Sequence, residues 1–254
     1  IYPTLLEALR HHGAHREAIK ARVDRLTAAV ESDEGPLAEM LLAEAVEEAR
    51  VRGQRPYLAE LLAHAATDLV MVQVDAHFDS LSGEFFPPDL FGDGEGPPVP
   101  PLRERLARPV DVLTRAEVLA EAGGDQLAHL RVLTVLLSLI YEVRERLGAL
   151  LHRWWPIHGA DRPLRLVELD DLLSRGFFDV EQLDALTQRV LVLAQTLGLD
   201  QLYADTLYEA IDRGLPGLLA DRPAHIERAR AAYERLEDAY GQITLALGAF
   251  RARA

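Results

Sequence analysis

The end of the chain carries an unbroken hydrophobic repeat. Ile226, Ala229, Tyr233, Leu236, Tyr240, Ile243, Leu247 and Phe250 alternate spacings of three and four residues. An α-helix turns once in about 3.6 residues, so all eight side chains fall on one stripe, the seam of a left-handed helix pair. Ala232, Ala239 and Ala246 widen the seam on one side. A widened stripe suits an antiparallel bundle better than an isolated coil. The helix is therefore expected to pack within its own chain, with a homo-oligomer formed through 226–250 as the alternative.

The same period runs through most of the sequence, and no run of alternating β-branched residues bounded by turns interrupts it. The chain reads as all-α. Pro36 suits the first turn of a helix reaching Arg52, Gly53 is placed to end it, and Pro56 opens the next. From 83 to 109 the text is dense in proline and glycine, and no regular helix is expected to cross it. A long core helix should follow, from Leu127 to Trp154, stopped by Pro156 and Gly159. Asp179 with Gln182 three residues on reads as a helix N-cap, Gly198 as the end of that helix, and Asp200 as the next cap. The expected organisation is two helical bundles, 1–82 and 110–254, joined by a Pro/Gly-rich linker at 83–109.

Composition narrows the function classes. The chain has no cysteine, which removes disulfides, zinc fingers, iron–sulfur clusters and thiol nucleophiles, and fits a reducing cytoplasm. The net charge of -14 opposes phosphate backbones, so general nucleic-acid binding is not expected. The longest uncharged apolar run, 132–141, is too short for a bilayer, and with no charged segment or cleavage pattern after Ile1 no export signal is expected there. No membrane span is expected.

Among motifs, "HAATDLVMVQVDAHFD" (64–79) is the most suggestive. At about 100° per residue, Glu60, His64, Asp68, Asp75 and Asp79 share roughly a third of the circumference, with apolar residues over most of the rest. His64 with Asp68 and Asp75 with Asp79 are i, i+4 pairs, each close enough to ligate one divalent ion. A metal would also need ligands from a second helix, and Glu44, Glu47 and Glu48 are the nearest acid-rich candidates. Facing water, the same stripe is simply the solvated edge of a bundle helix, which is the reading favoured here. Di-iron bundles need Glu-x-x-His pairs on two helices, and the sequence offers none. "ELDDLLSRG" gives Asp170 and Asp171 but no third aspartate for a magnesium–diphosphate site. "HHGAH" groups His11, His12 and His15 around Gly13, as a surface turn between helices does.

In "RERLGALLHRWW", Arg146 and His152 have five residues between them. The spacing resembles the arginine–histidine motif of the helical HEPN ribonucleases. That resemblance covers two residues and implies that Arg146 and His152 would act on a scissile phosphate. Otherwise, His152 and Arg153 place positive charge at a helix C-terminus, where the helix dipole favours it. "ARAAYERLEDAY" has the alanine–tyrosine spacing of a tetratricopeptide helix but stands once, so no repeat array follows. Phosphate-binding glycine loops, Gly-x-Ser-x-Gly and His-Glu-x-x-His are missing from the sequence.

Phe85, Phe86 and Phe91 stand in the proline-rich stretch, either tucked against their own domain or offered to a partner groove. The function these readings favour is binding: a cytoplasmic, acidic helical adaptor, scaffold or assembly subunit whose partner is another protein. A metal-dependent enzyme using His64, Asp68, Asp75 and Asp79 is the alternative, and a HEPN-like ribonuclease using Arg146 and His152 the second.

Overall fold

The structure is a computed structural model that describes residues 2–11, 13–81, 100–158, 164–213, 215, 222–236, 241–242 and 245. The described residues form ten helices and no strand. They fall into two compact units, Ile1–Phe178 and Asp179–Ala254.

The first unit begins with α1 (Tyr2–His11), which packs on α2 (His15–Glu31). A three-residue turn joins α2 to α3 (Gly35–Arg52), and the two form an antiparallel hairpin. Asp33 makes this turn in the left-handed region, with φ 58°. Gly53 ends α3 at φ 64°, a conformation that costs a residue with a Cβ about 1 kcal/mol or more. The turn lets the Gln54 N–H donate to the Ala49 carbonyl at 2.8 Å. α4 (Arg55–Leu81) then crosses the unit as its central helix, packed on α2, α5 (Leu102–Ala122) and α6 (Gln126–His158). Leu58, Leu62, Val70 and Val74 of α4 are fully buried, as are Leu113 of α5 and Leu133 and Ile140 of α6. Each such side chain contributes about 1.5–3 kcal/mol through burial. α7 (Leu164–Ser174) lies against α6, where Arg144 donates to the carbonyls of Leu173 at 2.7 Å and Phe178 at 2.6 Å.

Three expectations for this unit are corrected. The proline-rich stretch was expected to exclude regular helix up to residue 109, yet Leu102–Pro109 are the first turns of α5, with Pro109 buried inside it. A mid-helix proline removes one backbone hydrogen bond and costs about 3 kcal/mol. Burial of Leu102, Leu106, Val112 and Leu113 along the same face, in a helix packed against α4, outweighs that loss. For the same reason the expected N-terminal bundle of 1–82 does not stand apart: α5 to α7 belong to its unit, and the chain divides after Phe178. Likewise, α6 runs through Pro156 to His158 instead of stopping before it. α6 is long and apolar enough to cross a bilayer by length and composition, and burial of Val132, Leu136, Leu139, Val143 and Leu147 within the unit accounts for that hydropathy.

The second unit holds α8 (Val180–Thr196), α9 (Asp200–Asp212) and α10 (Arg222–Arg235). Asp179 caps α8 as expected, accepting from the Gln182 N–H at 2.6 Å. The expected Asp200 cap does not form. Leu199 holds the cap position, and the Asp200 carboxylate turns to Arg235 instead, which donates to it at 3.0 and 2.7 Å. α9 and α10 pair antiparallel, burying Ala204, Leu207 and Ala210 with Ala229, Ala232 and Tyr233. The Tyr233 hydroxyl donates to Asp205 at 2.9 Å. The start of the C-terminal seam is thus consumed inside its own unit. Its later members Tyr240, Ile243, Leu247 and Phe250 lie outside the described residues.

Candidate docking groove

The sequence-predicted residues are dispersed. His64 and Asp68 are exposed on α4, and Glu60 accepts from Arg131 of α6 at 3.2 Å. Asp75 is paired with Arg146, which also donates to Glu142 at 2.7 Å. One residue of the metal reading and one of the ribonuclease reading therefore neutralise each other. His152 is exposed, and the side chain of Asp79 is outside the described residues. Glu44 and Glu48, considered as second-helix ligands, both turn to Arg22. Glu47 pairs with Arg50 at 2.6 Å, and that hydrogen bond holds its carboxyl below the usual range. Among the described residues no three of His, Asp and Glu converge as ligands for an ion. Phe85, Phe86 and Phe91 lie outside the described residues.

Sequence reading missed His77, which is buried on α4 against α5. Arg105 Nη1 donates to Gln73 Oε1 at 3.0 Å, and Nη2 lies 3.2 Å from His77 Nδ1. A guanidinium only donates, so Nδ1 accepts and Nε2 carries the proton of the neutral ring. This arrangement ties α4 to α5.

Among the described residues, an open surface with a shape of its own lies between α3 and α5. The two helices run alongside each other in the same direction, with Asp33 just before α3 paired to Arg108, and Glu39 paired to Arg115 further along. Two hollows lie along them. The first, about 370 Å³, is lined by the apolar Leu26, Val30, Pro36, Leu42 and Val112 and by the charged Glu39, Arg108 and Asp111. The second, about 360 Å³, is lined by Leu42, Ala43, Val46, Val118 and Leu119. Leu42 faces both. Where they meet, Arg115 donates to both oxygens of Glu39 at 3.0 and 3.1 Å and to Asp111 at 2.9 Å.

This arrangement suits recognition. The second hollow is almost wholly apolar, and on its rim Val118 is 59% exposed. Its one hydroxyl, that of Thr114, donates to the Val110 carbonyl at 2.9 Å, and no histidine or carboxylate lines the hollow to act on it as a base. Apolar surface gathered in a groove and edged by ion pairs is the form of a site for a partner's side chains. The sequence signal for its two walls was present as apolar residues flanking the core stripes of α3 and α5. Their adjacency was not, since the first eight residues of α5 read as linker.

No protein-family model and no curated protein matches the chain.

Proposed function

We propose that the protein is a helical interaction or assembly subunit of the cytoplasm that holds a partner protein in the groove between α3 and α5. The observation that carries this reading is two adjoining hollows that share Leu42, the first of mixed lining and the second almost wholly apolar with the exposed Val118 on its rim, in a chain of net charge -14. Dense like charge keeps the rest of such a surface in solution, and a grouped apolar exception is where association gains free energy. The cytoplasmic setting rests on the cysteine-free sequence. The metal-dependent and ribonuclease readings would both have to break the Asp75–Arg146 pair, and neither gains an observation of its own.

Native mass spectrometry of the protein purified from its own cells tests this. A companion chain should accompany the wild type, be missing from the doubly substituted Val46→Arg, Val118→Arg protein, and rebind the purified wild type alone. Circular dichroism should show the same helix content in both. Identical companions on both proteins, or none on either, would remove the proposal.

A further inference from the structure

We infer that the partner of the α3/α5 groove is an amphipathic helix carrying two bulky apolar side chains seven residues apart, with a lysine or arginine between them. This rests on reading the groove as a docking site and adds the chemistry of its occupant.

The spacing comes from the walls. On α3 the first hollow is lined by Pro36 and the second by Ala43; on α5 the corresponding residues are Val112 and Leu119. Each step is seven residues, and the two walls advance together because Asp33 pairs with Arg108 and Glu39 with Arg115. Seven residues of helix rise about 10 Å, so a third helix laid along the groove meets the hollows with its own positions i and i+7.

The charge comes from the bridge between the hollows. There Glu39 and Asp111 share the single guanidinium of Arg115. Two carboxylates against one cation leave one negative charge in excess, at the place where positions i+3 and i+4 of the docked helix pass. The Asp33–Arg108 pair at the other end of the first hollow is balanced. Beyond the second hollow Glu47 is balanced by Arg50. Glu39 and Asp111 stand between the two hollows, so a basic side chain at the middle of the partner meets them directly, and the net charge of -14 adds a long-range pull on a basic partner. A glutamate at the middle position of the partner would meet that excess and be repelled.

Selection of a displayed library of helical peptides, randomised along one face, against the intact protein tests the inference. Enriched peptides should carry Leu, Met or Phe seven residues apart and Lys or Arg three or four after the first. Their binding should weaken at least about tenfold on Val46→Arg, since an arginine in the apolar hollow must be desolvated. Val118→Arg, at an exposed rim position, should do the same where the first variant fails to fold. Val192→Arg on α8 should leave binding unchanged. In the Glu39→Gln, Asp111→Asn protein Arg115 loses both carboxylates, and a repeated selection should enrich Glu at the middle position. Enriched peptides that map to the groove but show no basic preference would overturn the inference and leave the docking reading standing. Binders indifferent to both groove substitutions, or no enrichment at all, would overturn both. A dimer in light scattering that Val118→Arg dissolves would assign the groove to a second copy of the chain and likewise overturn the inference.

Discussion

The guanidinium of Arg22 on α2 meets the carboxylate of Glu48 on α3 inside the first unit, with the two side chains 3% and 7% exposed. Glu44, one turn earlier on α3 and 47% exposed, gives Arg22 a second carboxylate at 3.4 Å. Arg22 holds two carboxylates of α3, so its loss costs more than the loss of either one. Arg22→Met takes the guanidinium from both Glu44 and the buried Glu48, a change that costs about 3–5 kcal/mol. Glu48→Gln leaves Arg22 facing Glu44 and should cost about half as much or less, in the range of a lost hydrogen bond to a charged group, about 1.5–3 kcal/mol. Combining Arg22→Met with Glu48→Met should recover most of the loss, because an apolar pair needs no compensation. Urea unfolding of the three proteins checks the order. Equal losses in the single variants, or additive losses in the double, would show that the pair is not acting as a buried charge couple.

What was legible in the sequence depended on how far apart the cooperating residues lie. The Gly53 stop and the Asp179 cap on the Gln182 N–H are set within one turn, and both stand where the sequence places them. Asp200 has the same local signal, yet Arg235, thirty-five residues on, competes for its carboxylate and wins. Pro109 and Pro156 are strong local breakers, but each lies in a helix otherwise held by tertiary packing, and propensity is the weaker term there. The acid stripe on α4 was visible as a stripe. That Asp75 would meet Arg146, the arginine of another candidate site seventy-one residues away, was not. The groove was least legible, since it exists only because α3 and α5 run side by side.

Pro109 yields a prediction from the same balance. Replacing it with alanine restores an N–H able to bond the Arg105 carbonyl one turn back and relieves a helix penalty of about 3 kcal/mol. The smaller side chain forfeits about two buried methylenes, or about 1.6 kcal/mol. Pro109→Ala should therefore stabilise the first unit by about 1.4 kcal/mol, the difference of those two terms. Its urea midpoint should rise. A fall would mean that the buried ring is worth more than the missing hydrogen bond.

Asp33 separates backbone strain from ion pairing in the α2–α3 turn. It stands at φ 58°, and its carboxylate, 89% exposed, pairs with Arg108. So exposed a pair contributes no more than about 0.5–1 kcal/mol, and Arg108→Ala should cost that or less. The backbone matters more. Asp33→Val puts a β-branched residue in the left-handed region and should cost about 1–2 kcal/mol, whereas Asp33→Gly should be neutral or slightly stabilising. Thermal unfolding in low and high salt checks both, because only the ion-pair contribution is screened. A larger loss from Arg108→Ala than from Asp33→Val would invert this reading.

The Asp200–Arg235 pair predicts how the second unit responds to acid. Hydrogen bonding from Arg235 holds the Asp200 carboxyl below the usual range, against the smaller opposing effect of desolvation. The charged form is thus favoured by folding. The stability it supplies is complete above the unfolded aspartate value of about 3.9 and is lost as pH falls through the lower folded value. Arg235→Gln should move the Asp200 titration midpoint upward, toward that ordinary value, as followed by carboxyl NMR shifts. Asp200→Asn should flatten the acid-side fall in stability of α9 and α10, measured by amide hydrogen exchange between pH 5 and pH 2, and leave its slope near neutrality unchanged. Molar salt should shrink the difference between wild type and variant, because both side chains are solvent-accessible. An Asp200 midpoint unmoved by Arg235→Gln would show that the guanidinium is not what holds the carboxyl down.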